Sequence, residues 1–304
     1  MKLFFVFSGQ GAQSPGMGRD LYENFEAARR CFDTADKILG YPLSRIIFDG
    51  PAEELTATSN CQTAIYTVSC AALAVFRERF PELRPCAAAG LSLGEYAALY
   101  CGGSFSFEEG LRLLAERARF MDECCRKTGG GMATALGGDP AVIEEVCKQV
   151  GIDVANYNSP GQIVISGPKD LVRRAVEELR ARGMRKIVEL TVAGAFHSRL
   201  MADAGVKLAG VLEKSTLALP AIPVYQNFTA APPASEEELK SNLAAQVSGA
   251  VRWEGCVRAA FAAGAEVMIE FGPGNVLTGL LRRTLPGVKS FNINTAASLD
   301  QFIL

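Results

Sequence analysis

Apolar and polar positions along this chain follow two periods, and the first element is apolar throughout. The run Leu3-Phe4-Phe5-Val6-Phe7 is too short for the apolar core of a signal peptide and leads straight into the Gly-rich loop Ser8-Gly9-Gln10-Gly11-Ala12-Gln13. It predicts a buried first strand, followed by helical stretches to about residue 80. A strand, a Gly-rich loop and then helices announce an α/β fold. Residues 86–89 form a weaker strand candidate, because alanine has low β propensity. They stand directly before Gly90-Leu91-Ser92-Leu93-Gly94 and a helix-compatible stretch over 95–100, which Gly102-Gly103 can stop.

From about residue 130 the pattern changes. It reads strand 132–136, helix 140–150, strand 153–156, strand 162–166, helix 169–182 and strand 184–190, a βαββαβ order of the ferredoxin-like kind. Further strand candidates at 223–227 and 266–271 follow it, with a turn or short loop at 230–235 between them. The expected organisation is therefore a large α/β domain, 1–128 and 192–304, interrupted by a small domain, 129–191. Binding sites favour such junctions.

Composition narrows the function. With 304 residues and 49% hydrophobic content the chain can bury a substantial core. A net charge of −2, from 31 basic and 33 acidic residues that are interspersed, gives neither a nucleic-acid footprint nor a polybasic membrane anchor. No apolar stretch is long enough to span a bilayer. The nine cysteines are odd in number and lack a Cys-x-x-Cys spacing, and there is a single histidine. Free thiols in a reducing cytoplasm are expected, with no metal site.

That single histidine, His197, restricts the chemistry. Gly90 and Gly94 flank Ser92 at the spacing of a nucleophile elbow, a sharp strand-to-helix turn that exposes the hydroxyl at a helix N-terminus. A serine hydroxyl needs a neighbouring base, and imidazole suits that task near neutral pH. Only His197 can supply one. The backbone N–H of Leu93 would point where an oxyanion forms. Gly9-Gln10-Gly11 lacks the third glycine of a dinucleotide fingerprint and the Gly-Lys-Ser/Thr of a P-loop. It is either a tight turn or the source of a second oxyanion donor, the N–H of Gln10. On the helix that carries Arg112, Arg117 and Arg119, Arg117 has Leu113, Leu114, Phe120 and Met121 at helical spacing, whereas the other two keep company with Glu108, Glu109, Glu116, Asp122 and Glu123. An inward arginine is either paired with a distant core carboxylate or left open for an anionic substrate.

The ordered set Gly9-Gln10-Gly11-Ala12-Gln13, Gly90-Leu91-Ser92-Leu93-Gly94-Glu95, Arg117-Ala118-Arg119-Phe120-Met121, Asn158-Ser159-Pro160-Gly161-Gln162, Ala195-Phe196-His197-Ser198, Val251-Arg252-Trp253 and Gly272-Pro273-Gly274 closely resembles the malonyl-coenzyme A:acyl carrier protein transacylases from about residue 3 to residue 285. The resemblance implies an α/β-hydrolase-like large domain with a ferredoxin-like insert. It also implies a cytoplasmic [acyl-carrier-protein] S-malonyltransferase of fatty acid biosynthesis, ping-pong through a malonyl ester. Ser92 would be acylated, His197 would be the base, and Arg117 would clamp the malonyl carboxylate. The N–H groups of Gln10 and Leu93 would hold the oxyanion, and the carbonyl of Gln246 would orient the histidine. Asn158 matches a polar residue near the site, and Phe196 the arrangement found where malonyl is preferred over methylmalonyl. Malonyl-CoA and acyl carrier protein are the implied partners, with coenzyme A entering as part of the substrate and no cofactor. One position departs from the family, which usually has histidine where this chain has Leu91, and this alters the local polarity of the elbow.

Three other readings use the same residues. A thioesterase would let water deacylate the serine, a free-standing polyketide-synthase acyltransferase would differ only in its carrier, and a non-catalytic carrier-binding module would retain no acyl group. Arg185, Lys186, Arg282 and Arg283 are either a docking patch or a solvated face. A monomer is expected.

Overall fold

The computed structural model describes residues 1–303. Among them nine strands run in chain order: β1 (Leu3–Phe7), β2 (Pro85–Gly90), β3 (Gly130–Leu136), β4 (Asp153–Ser159), β5 (Gln162–Pro168), β6 (Lys186–Leu190), β7 (Val224–Tyr225), β8 (Val267–Phe271) and β9 (Lys289–Ile293). They divide into two sheets. The first is entirely parallel with the order β7-β2-β1-β8-β9, so β1 is central and buried at every position, as an unbroken apolar strand must be. Phe5 of β1 meets Phe271 of β8 and Phe76 of the helix Thr58–Arg79 at ring-centroid distances of 4.8 and 5.6 Å. This aromatic cluster locks the sheet against that helix.

The alanine-rich β2 forms despite low propensity because it is paired on both sides, by β1 and β7, and buried over its last four residues. Tertiary context overrides propensity there. Two elements differ from expectation. The strand expected over 223–227 is only Val224–Tyr225, since Gln226 and Asn227 turn away to bond Glu95 and the Gly90 carbonyl. Strand β9 was not expected, because its alternation is confined to the four residues Ser290 to Ile293; it lies at the sheet edge, paired only with β8 and mostly half-buried.

The second sheet is antiparallel with the order β4-β5-β3-β6. The helices Pro140–Val150 and Lys169–Ala181 complete the βαββαβ unit and cover one face, where Ile143, Val146, Val172 and Leu179 pack on Ala133, Ile163 and Ile165. From the other face Met132, Thr134, Asn156, Asn158 and Val164 border a cleft shared with the parallel-sheet body. Two backbone bonds fix that relationship, from Val251 N–H to the Ala155 carbonyl at 2.8 Å and from Tyr157 N–H to the Val251 carbonyl at 2.9 Å. The fold is thus an α/β-hydrolase-like body carrying a ferredoxin-like unit, and the cleft lies between the two. Among the described residues no helix is long and apolar enough to cross a membrane, and no His, Cys, Asp and Glu side chains cluster as metal ligands. All nine cysteines are free thiols.

Candidate active site

Ser92 sits between β2 and the helix Gly94–Cys101 with φ at +55°, in the left-handed region that a serine adopts only when its surroundings impose it. The flanking glycines are what permit this turn. A Cβ on Gly90 would lie 2.0 Å from the Gly94 backbone, and one on Gly94 would lie 2.3 Å from the Phe7 carbonyl. Strand β1, strand β2 and the following helix therefore approach as closely as backbone allows. The amide of Asn227 braces the turn, accepting from Ser92 N–H at 2.6 Å through Oδ1 and donating from Nδ2 to the Gly90 carbonyl at 2.8 Å.

The hydroxyl oxygen of Ser92 lies 2.8 Å from Nε2 of His197, across 105 positions of chain. On the other side of the ring, Nδ1 lies 2.8 Å from the backbone carbonyl of Gln246. A carbonyl only accepts, so Nδ1 carries the proton and Nε2 turns its lone pair to the serine hydroxyl. Burial, helped by the nearby Arg117 charge, pushes the imidazole down to about 4. It is therefore a neutral, proton-accepting ring near neutral pH.

Arg117 is buried in the helix Phe107–Thr128, at 1% exposure. Its Nη2 donates to Ser92 Oγ and to Gln246 Oε1, each at 3.0 Å, and its Nη1 donates to Gln62 Oε1 at 2.5 Å. All three acceptors are neutral. The pairing with a core carboxylate that the sequence left open is not what the structure shows, since none of the arginine's hydrogen bonds goes to one. Nε has no partner among the described residues. A buried cation held only by neutral groups is poised to take an anion.

Ser92 and His197 open on a cleft of about 350 Å³ lined also by Gln10, Leu91, Asn158 and Phe196 among others, with Arg117 directly behind the serine. Asn158 is buried, and its Oδ1 has no partner among the described residues. The N–H groups of Gln10 and Leu93 likewise donate to no backbone acceptor among them. Leu93 directly precedes the helix Gly94–Cys101, whose N-terminal dipole favours negative charge at that point. Every residue singled out around the serine and histidine thus converges on one site. The basic group does not join it: Arg185 and Lys186 line a separate hollow with Arg182 at the far end of the small sheet, and Arg283 donates to the Gln162 side chain.

Sequence reasoning missed Gln62, Asn227, Glu95 and the side chain of Gln246. The available signal was a charged side chain inside an otherwise apolar helix, as at the buried Glu95, whereas Gln62 stands among Asn60, Thr63 and other polar residues that mask it. No comparable signal exists for Asn227, which follows a strand of two residues.

An elbow serine against a neutral imidazole, with a buried arginine that touches the same hydroxyl and hydrogen-bonds no carboxylate, defines a serine-dependent acyl-transferring enzyme. Residues 4–301 match the family model described as Acyl transferase domain. The chain is 38% identical to the malonyl CoA-acyl carrier protein transacylase of Bacillus subtilis, over 98% of its own length and 95% of the relative. Its structure is similar to that of an acyl-carrier-protein-S-malonyltransferase from Bartonella henselae, with a TM-score of 0.94 at 38% identity, covering 99% of this chain and 98% of that one. An acyl carrier protein S-malonyltransferase from Vibrio cholerae matches with a TM-score of 0.95 at 35% identity, covering 99% of each. The chain belongs to the acyl transferase domain family, among its malonyl CoA-acyl carrier protein transacylases.

Proposed function

We propose that this enzyme transfers the malonyl group of malonyl-CoA to acyl carrier protein through a malonyl ester on Ser92, in the service of fatty acid biosynthesis in the cytoplasm. Ser92 Oγ attacks the thioester carbonyl while Nε2 of His197, 2.8 Å away, takes its proton. The carbonyl oxygen becomes an oxyanion facing the N–H groups of Gln10 and Leu93, each worth about 3 kcal/mol in comparable sites. The intermediate collapses, the carbon–sulfur bond breaks, and the imidazolium returns its proton to the departing coenzyme A thiol. The pantetheine thiol of the carrier protein then gives its proton to His197, attacks the ester carbonyl, and leaves as the malonyl thioester while Ser92 recovers its hydrogen.

A thiolate is a good leaving group, so a carbonyl can orient His197 where amide cleavage would favour a carboxylate. Gln246 supplies that carbonyl. Phe196 and Asn158 shape the acyl end of the cleft, and Leu91 presents an apolar wall beside the ester. No cofactor takes part in these steps.

The observation that carries the malonyl reading is Arg117. A guanidinium that is buried, touches the nucleophile and has only neutral acceptors offers a distal carboxylate a charge-assisted contact worth roughly 1.5–3 kcal/mol. An acetyl group leaves it unmet. Intact-mass spectrometry tests the reading: malonyl-CoA should add one malonyl group, lost from Ser92→Ala, and acyl carrier protein should remove it with stoichiometric appearance on the carrier. Release to water at the same rate with and without carrier would identify a thioesterase instead.

A further inference from the structure

Beneath the elbow lies a carboxylate that the acyl-transfer steps do not use, and the role assigned to it rests on the transacylase reading of the site. Glu95, in the first turn of the helix Gly94–Cys101, is wholly buried, and none of its hydrogen bonds comes from a charged group. Three neutral N–H donors converge on it instead. Nε2 of Gln226 reaches Oε1 at 3.1 Å, while the backbone N–H of Asn227 and Nε2 of Gln246 reach Oε2 at 2.7 and 2.8 Å. An ionised carboxylate only accepts, so it dictates which end of the Gln246 amide faces it. The NH₂ must point towards Glu95, where it also donates to the Ser92 carbonyl at 3.0 Å, and Oε1 is thereby turned to Nη2 of Arg117 at 3.0 Å. The reversed amide would set NH₂ against guanidinium and carbonyl oxygen against carboxylate.

We infer that Glu95 is a positioning residue for malonyl transfer: by fixing the orientation of the Gln246 amide, its carboxylate aims the Arg117 guanidinium at the distal carboxylate of the acyl group. The charged and titratable groups around Glu95 are Arg117, Tyr96 of its own helix and Cys256 of the helix Trp253–Ala262. Burial pushes Glu95 up to about 7, against the pull of the three donors and of Arg117.

Glu95→Gln keeps size and shape but places an NH₂ where only acceptors fit. Burst-phase loading of Ser92 from malonyl-CoA and from acetyl-CoA reads the consequence. The malonyl-to-acetyl ratio of specificity constants is expected to narrow about tenfold, mostly through a raised KM for malonyl-CoA. A merely structural role would depress both substrates alike. A folded Glu95→Gln enzyme with an unchanged ratio overturns the inference. If that variant does not fold, the wild-type ratio measured at about pH 5.5 and about pH 8.5 decides. Protonating Glu95 at the lower pH should narrow it, and a constant ratio overturns the inference, since a neutral His197 serves both substrates across this window. Wild-type enzyme that takes no malonyl group at all would instead sink the transacylase reading.

Discussion

Nη2 of Arg117 lies 3.0 Å from the hydroxyl oxygen of Ser92, so the cation that would read the acyl group also touches the atom that would carry it. Selection and chemistry share one guanidinium. Arg117→Ala should therefore lower malonyl loading and narrow the malonyl-to-acetyl ratio of specificity constants by about 10- to 100-fold, the equivalent of one charge-assisted contact. Arg117→Lys should rescue little, because an ammonium cannot span Gln62, Gln246 and a carboxylate with a planar fork. Burst-phase kinetics with both thioesters measures the ratio directly.

The buried imidazole of His197 makes a pH prediction with a definite sign. The folded ring takes its proton near pH 4, whereas an unfolded histidine takes one near 6.5. The unfolded state then binds more protons between these values, so this residue's contribution is intact above about 6.5 and falls away by about 3 kcal/mol on the way down to about 4. Urea denaturation across that range should show wild-type stability falling more steeply than that of His197→Asn. Glu95, whose folded value is raised to about 7, acts oppositely, losing stability as pH climbs from about 4.5, and cancels in the comparison.

Much of this was legible from the chain alone, for identifiable reasons. The elbow is a local feature set by Gly90 and Gly94, and the βαββαβ order is set by periodicity, so both could be read in sequence. The burial of Arg117 followed from helical spacing as well. Its partners did not, because Gln62 and Gln246 lie 55 and 129 positions away and neither belongs to a local pattern. Strand β9 escaped because its alternating stretch, Ser290 to Ile293, is short, and it is the pairing with β8 that makes a strand of it.

The glycines of the elbow should differ sharply from others in tolerance. Gly90→Ala would force a Cβ to 2.0 Å from the Gly94 backbone, where no flexible side chain can yield, and is expected to cost about 3 kcal/mol or more, or to prevent folding. Gly103→Ala, at a loop glycine, meets nothing within 4 Å and bears only the strain of its φ of +82°, about 1–2 kcal/mol. Thermal melting of the two variants checks the contrast.

Asn227 braces the elbow directly and touches the clamp only through Glu95 and Gln246. Its amide satisfies Ser92 N–H and the Gly90 carbonyl, two backbone groups at and just before the nucleophile, makes no hydrogen bond with Arg117 among the described residues, and meets the clamp only through a 3.4 Å contact from Nε2 of Gln246. Asn227→Ala leaves both groups unpartnered at about 1–3 kcal/mol each, so a loss of about 2–5 kcal/mol in unfolding free energy is expected. The strained φ of Ser92 would then relax, and the hydroxyl would drift from Nε2 of His197. Because acetyl and malonyl loading both need that alignment, kcat should fall for the two substrates in the same proportion and their ratio should hold. A ratio that narrows as it does for Arg117→Ala would show instead that the elbow and the clamp move as one unit.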